Sequence, residues 1–171
     1  PLDDEKLGII SHCISLYESH IPGDKTNMLF VQAGAGYGKT NLAMGIQHYF
    51  QSKNINVLVA ATTNMAASIY QNGQTAHMAF GLPVSNEHDI TSTITRSSWQ
   101  ANRILNSVLI WDEAACSHAK NIEATERLLR DLTKNDMPWG GIPLFVFFWD
   151  FMQIAPIADE NGEMAVIHAS F

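Results

Sequence analysis

The sequence predicts an α/β fold: a parallel sheet covered by helices on both faces. Three observations lead there. Short apolar runs alternate with segments of helical periodicity. A glycine-rich turn ending in Lys39-Thr40 directly follows the first of those runs and opens a helix. A later run ends in the acidic pair Asp112-Glu113. Ligands bind at the carboxyl ends of strands in such sheets, so turn and acids are expected on one edge. The chain has 171 residues, 46% of them apolar and 16% charged, which suits one domain with a sizeable core.

Each element follows from local pattern. Leu7, Ile10, Ile14 and Tyr17 recur at helical spacing and make the N-terminal segment an amphipathic helix. Pro22-Gly23-Asp24 ends it. The first strand is 28–32. The glycine turn leads into a helix that runs to about residue 50, and its N-terminus presents a favourable dipole to an anion. Residues 55–61 form the second strand. Residues 64–70 form a short helix, closed by the turn Asn72-Gly73. The segment 83–98 is polar and rich in Ser and Thr, and reads as a loop with one short helix. The third strand is 107–111. Ile122, Thr125, Leu129 and Leu132 share a helix face, with Glu123–Arg127 and Glu126–Arg130 pairs expected on the exposed side. Residues 135–141 break that helix, and 144–149 is the fourth strand. Beyond Pro156 the chain turns polar and acidic, apart from Ala165-Val166-Ile167. No internal repeat occurs.

Ala33-Gly34-Ala35-Gly36-Tyr37-Gly38-Lys39-Thr40 is a phosphate-binding loop. Backbone N–H groups wrap the phosphates of a nucleotide, and glycines keep side chains out of the way. Residues Gly34, Ala35, Gly36, Tyr37 and Gly38 supply the cradle. Lys39 is expected to reach the β and γ phosphates, and Thr40 to place its hydroxyl on Mg²⁺. The strict pattern has Gly at position 33, where this chain has Ala. A glycine-rich turn with a chance Lys-Thr is the plain alternative. It loses ground because the second half of a nucleotide site is present. Asp112 and Glu113 follow an apolar strand about 70 residues downstream. Asp112 is expected to hold Mg²⁺ through water. Glu113 is expected to orient and polarise the attacking water, which argues for hydrolysis. The class implied is a P-loop NTPase.

The charge balance is −7, from 17 acids and 10 bases, which disfavours a generally basic nucleic-acid binder. Distribution matters more than the sum. Six of the ten bases lie between Arg96 and Lys134, and none between Asn54 and Thr95. Phosphate contacts from that bare stretch would use hydroxyls, amides, a histidine or backbone N–H groups. Cys13 and Cys116 have neither framework nor metal spacing, so both are expected to fill core space in a reducing compartment. No segment approaches membrane-spanning length, and no signal peptide is apparent. The chain starts at Pro1 rather than Met, so a fragment of a longer protein is expected.

With these sites placed, the chain resembles the first RecA-like motor domain of the PIF-one (petite integration frequency) DNA helicases. It is most similar to the branch found in Helitron transposons. Six ordered motifs carry the resemblance, nearly end to end. They are Gly36-Tyr37-Gly38-Lys39-Thr40, Ala60-Ala61-Thr62-Thr63-Asn64-Met65-Ala66-Ala67, and Gly73-Gln74-Thr75-Ala76-His77-Met78-Ala79-Phe80. Trp111-Asp112-Glu113-Ala114, Asn135-Asp136-Met137-Pro138-Trp139-Gly140-Gly141 and Asp150-Phe151-Met152-Gln153-Ile154-Ala155-Pro156-Ile157 complete the set. The resemblance implies an ATP-dependent DNA helicase domain spanning 1–171, with ATP and Mg²⁺ as cofactors. It implies that Gln153 senses the γ phosphate. It also implies that Thr62, Thr63 and His77 lie along single-stranded DNA. Thr62-Thr63-Asn64 fits a helix N-cap as well, and His77 fits a structural hydrogen bond. Implied partners are single-stranded DNA, its junctions with duplex, and a second RecA-like domain that brings transition-state arginines. No membrane is implied. Repair, recombination and telomere upkeep fit the family, as do the nucleus or mitochondrion of a eukaryotic cell.

The departures from the family pattern are specific. Lys6 stands where the adenine-reading motif has Gln. Phe148 and Trp149 replace paired glycines before Asp150, and are expected to crowd the sensor. Met152 and Gln74 each replace an Arg. A degenerate nucleotide- or DNA-binding module without turnover is therefore the second reading. A small-molecule P-loop kinase is a third, without the arginine-rich lid it requires.

Overall fold

The computed structural model describes residues 3–34, 36–84 and 89–150. Ala35 and Gln153, both expected at the nucleotide, lie outside the described residues, as do Phe151 and Met152. Five strands form one sheet: β1 (Met28–Gln32), β2 (Asn56–Ala61), β3 (Gln74–Thr75), β4 (Ser107–Asp112) and β5 (Phe145–Trp149). Their spatial order is β1-β5-β4-β2-β3, and every pairing is parallel. The helices are α1 (Asp4–Glu18), α2 (Lys39–Ser52), α3 (Asn64–Ser68), α4 (Ala76–Phe80), α5 (Trp99–Leu105) and α6 (Ala119–Thr133).

Side chains alternate across the pleat, so each strand feeds two cores. Val59, Val108, Ile110, Val146 and Phe148 face α1 and α2, where Ile10, Cys13, Ile46 and Phe50 meet them. Leu58, Leu109, Trp111, Phe147 and Trp149 face the opposite way, toward Phe80 of α4, Ile104 of α5 and Leu128 and Leu129 of α6. All six residues of β4 are buried, as are all five of β5. That burial on both sides is why these runs read as continuous rather than alternating apolar segments.

The strands and long helices fall where the pattern places them, to within a few residues. The differences have physical causes. Strand β3 has only two residues, too short for a periodic signal, and forms because Gln74 and Thr75 dock against Ala60 and Ala61. Gly73 permits that approach: a Cβ there would stand 2.3 Å from the Ala67 carbonyl oxygen. No helix occurs among the described residues of 83–98; the short helix α5 begins just after them, capped by Ser98. The Glu126–Arg130 pair forms at 2.9 Å. Arg127 instead reaches across to Asp89 at 2.7 Å and to the Ile90 carbonyl. Cys13 is buried as expected, but Cys116 is exposed.

Phe148 and Trp149 are core residues. They lie on opposite faces of β5, 0% and 7% exposed, and each packs into one of the two cores. Neither lines the cavity at the glycine loop. Their bulk packs the two cores, while Gln153, the sensor they are expected to crowd, lies outside the described residues. Phe148→Ala should therefore lower stability by about 3–5 kcal/mol, the usual cost of emptying a buried aromatic site. A urea midpoint equal to that of the parent would contradict this placement.

Candidate nucleotide site

The sheet delivers its chemistry to one edge. The phosphate loop follows β1, Asp150 follows β5, Asp112 ends β4 with Glu113 after it, and Thr62-Thr63 follow β2. All strands are parallel, so these carboxyl ends are neighbours in the order β1-β5-β4-β2.

The loop turns on Gly36 and Gly38, whose φ angles of +82° and +80° are left-handed and suit glycine. A Cβ on Gly36 would point into open space, so the demand there is conformational. Gly38 caps α2 with no side-chain hydrogen bond. The other five helices are capped by side chains of Asp3, Thr63, Thr75, Ser98 and His118. The orphan N–H groups and positive dipole end of α2 thus face the loop, in the arrangement that receives a phosphate. Lys6 also comes to this point. It pairs with Asp3, and its Cε lies 3.0 Å from where a Gly38 Cβ would stand.

Lys39 folds back over the loop. Its ammonium donates to the carbonyls of Ala33 and Gly34 and to Asp150 Oδ2, the last at 2.7 Å. Asp150 is 4% exposed, so this is a largely buried ion pair. Asp112 is 5% exposed and held at both oxygens. Its Oδ1 accepts from the Glu113 N–H at 2.9 Å and its Oδ2 from the Tyr70 hydroxyl at 2.5 Å. The Tyr70 phenol is itself buried. Burial first, then the Asp112 charge, pushes its pKa well above the ordinary tyrosine value. It therefore remains a donor.

Glu113 has a left-handed backbone, φ +55° and ψ +34°. That conformation costs a non-glycine residue about 1–2 kcal/mol. Three contacts hold it. The Asp112 carboxylate takes its N–H, Thr62 Oγ1 donates to its carbonyl at 2.7 Å, and Thr63 Oγ1 donates to its carboxylate at 3.1 Å. The strained turn aims the carboxylate while Asp112 keeps its own place at the strand end. Gly34, Gly36, Gly38, Lys39, Thr40, Asp112 and Glu113 together line a cavity of about 270 Å³. A larger one of about 640 Å³ opens between β1 and α6, but its lining of Phe30, Trp139, Phe147 and neighbours includes no loop residue. Chemistry, not size, marks the site.

The oxygens of Thr40 and Asp112, the residues expected at the metal, fit Mg²⁺. Among the described residues no cluster of three or more His, Cys, Asp or Glu could cage an ion. One hydroxyl, from Thr40, and one carboxylate, from Asp112, border the cavity instead. Mg²⁺ is commonly bound through one or two carboxylates plus substrate phosphates and water, which matches this sparse oxygen set.

Thr62, Thr63 and His77 sit at the carboxyl ends of β2 and β3. Thr63 caps α3 through the Ala66 N–H, so the capping expectation holds. Thr62 also accepts from Trp111 Nε1 at 3.3 Å. His77 lies in the first turn of α4 and is half-buried. Sequence reasoning missed Tyr70, read only as the end of a helix, and gave Asp150 no role of its own. Tyr70 carries no local signal. Asp150 does, as an acid directly after a buried strand.

Fold and site together define a P-loop NTPase of the RecA-like kind: a parallel sheet, a phosphate loop and an acidic strand end on one edge. The chain belongs to the PIF1-like helicase family, whose profile matches residues 4–171. It is 30% identical over 136 residues to the ATP-dependent DNA helicase Pif1 of Psychrobacter sp., covering 78% of this chain and 20% of that protein. It is 33% identical over 129 residues to the ATP-dependent DNA helicase PIF3 of Trypanosoma brucei brucei, covering 74% and 15%. The structure of Bacteroides Pif1 bound to ssDNA matches with a TM-score of 0.70 at 25% identity, over 95% of this chain and 35% of that one. The chain thus spans a fifth or less of the length of these two curated relatives. Among the described residues no helix is long and apolar enough to cross a membrane.

Proposed function

We propose that the chain, residues 1–171, is the first of two RecA-like motor domains of an ATP-dependent DNA helicase. One observation carries this reading. Lys39, Thr40, Asp112 and Glu113 meet three loop glycines in a single cavity, at a helix N-terminus without a side-chain cap. The α2 N–H groups and the loop backbone receive the phosphates. Lys39 leaves Asp150 and turns to the β and γ phosphates. Thr40 and Asp112 hold Mg²⁺, which when bound neutralises charge building on those phosphates. Glu113 orients the attacking water. Gln153 reports loss of the γ phosphate.

Thr62, Thr63 and His77 lie along single-stranded DNA, and the partners are single-stranded DNA and its junctions with duplex. Hydroxyls and imidazole serve there because that stretch has no Lys or Arg. The bond from Thr63 to Glu113 makes one residue part of both the DNA track and the hydrolytic centre. The Bacteroides relative, solved with ssDNA, supports the choice of polymer. A second RecA-like domain closes the site and brings arginines. The settings that follow are DNA repair, recombination or telomere upkeep, in the nucleus or mitochondrion of a eukaryotic cell, away from membranes.

The test compares ATP hydrolysis with and without single-stranded DNA, beside strand separation on a tailed duplex. The chain alone should bind Mg-ATP weakly and separate nothing. Joined to the second domain of a relative, its hydrolysis should rise by roughly 10³- to 10⁵-fold, the usual contribution of an arginine supplied to phosphoryl transfer. No detectable Mg-ATP binding by either form would overturn the reading. So would robust unwinding by the chain alone.

A further inference from the structure

We infer that Tyr70 is a positioning residue of the Mg²⁺ site, its hydroxyl set against the Asp112 carboxylate that holds the metal. The inference rests on the nucleotide-site reading above. Tyr70 is 4% exposed, and its hydroxyl donates to Asp112 Oδ2 at 2.5 Å. Asp112 Oδ1 is occupied by the Glu113 N–H. The phenol therefore fixes the remaining carboxylate oxygen, leaving further lone pairs on the carboxylate for a metal and its waters.

The ring has little room to leave. It packs in the core between α1, α2 and the sheet. The chain on either side is pinned by Gln47 Nε2 donating to the Gln71 carbonyl at 2.9 Å, and by the Tyr70 N–H donating to the Ala67 carbonyl at 3.2 Å. A buried tyrosine could find its hydrogen bond at any backbone carbonyl. This one spends it on the metal acid, 42 residues away in sequence. Groups that orient metal ligands from behind typically change metal affinity about 10- to 100-fold when removed.

The experiment is calorimetric titration of ADP into the chain and into Tyr70→Phe, in Mg²⁺ and in EDTA. Tyr70→Phe keeps the ring and removes the hydroxyl. The expected result is a roughly 10- to 100-fold weaker affinity for Mg-ADP, with metal-free ADP affinity unchanged. A merely structural tyrosine would move Tm and leave the Mg²⁺ dependence alone, and that outcome overturns the inference. Unchanged or tighter Mg-ADP binding also overturns it. A parent chain that binds ADP in neither buffer overturns the nucleotide reading together with it. If Tyr70→Phe does not fold, Mn²⁺ and ADP added to the parent with ¹³C-labelled tyrosine rings give the second measurement. The Tyr70 ring signal must broaden; a sharp signal overturns the inference.

Discussion

Glu113→Gln should stop ATP turnover while leaving Mg-ATP affinity at the parent value. The fall in kcat expected for losing a positioned proton acceptor is about 10²- to 10⁴-fold. The structure makes this a clean substitution. Glu113 lines the cavity but does not hold the Lys39 ammonium, which goes to Ala33, Gly34 and Asp150. Its backbone turn is set by contacts of its N–H and carbonyl, with Asp112 and Thr62, and these survive the change. Gln can still accept from Thr63, so the side chain keeps its direction and loses only its charge. The measurement is single-turnover hydrolysis in a protein that carries both RecA-like domains, beside a calorimetric Kd. Turnover close to the parent rate would remove Glu113 from the hydrolytic role.

Lys39→Ala carries the other large effect, and here the fold adds a cost that the motif does not reveal. Affinity for Mg-ATP should drop by at least about 2 kcal/mol, the scale for truncating one partner of a buried, hydrogen-bonded charge pair. Stability should fall as well. Lys39 faces Asp150, whose carboxylate is 4% exposed, and removing one partner of a buried pair typically costs about 3–5 kcal/mol. Adding Asp150→Asn should recover part of the lost Tm and none of the lost affinity. The two effects are thereby separated: one belongs to the phosphate, the other to the resting contact of the lysine. Unchanged ATP affinity in Lys39→Ala would refute the phosphate-loop assignment. Unchanged Tm would refute the importance of the Asp150 pair.

The legible part of this protein is the part written in short-range pattern. Strand β1 was placed to the residue, and β4 and β5 to within one, because buried strands need continuous apolar runs. Lys39, Thr40, Asp112 and Glu113 were legible because the glycine loop follows β1 and the acids close β4, and parallel strands share one carboxyl edge. What escaped notice depends on partners far along the chain. Arg127 has Glu123 four residues away, as an exposed helical pair requires, yet it turns to Asp89, 38 residues distant. Strand β3 exists only because β2 lies beside it. Phe148 and Trp149 read as intruders at a site, and the pleat turns them into opposite cores.

By itself the sequence determined the fold class, the phosphate loop and the acids that answer it. Those are properties of spacing within a few residues and of strand ends, which backbone geometry fixes locally. Only the tertiary structure decided how the site is held. It put the Lys39 ammonium on Asp150, 111 residues away, the Tyr70 hydroxyl on Asp112, and the Thr63 hydroxyl on Glu113, 50 residues away. A hydrogen bond requires its two atoms within about 3 Å and nothing of the chain between them. No periodicity encodes such a pairing; it follows from which strands the sheet sets side by side.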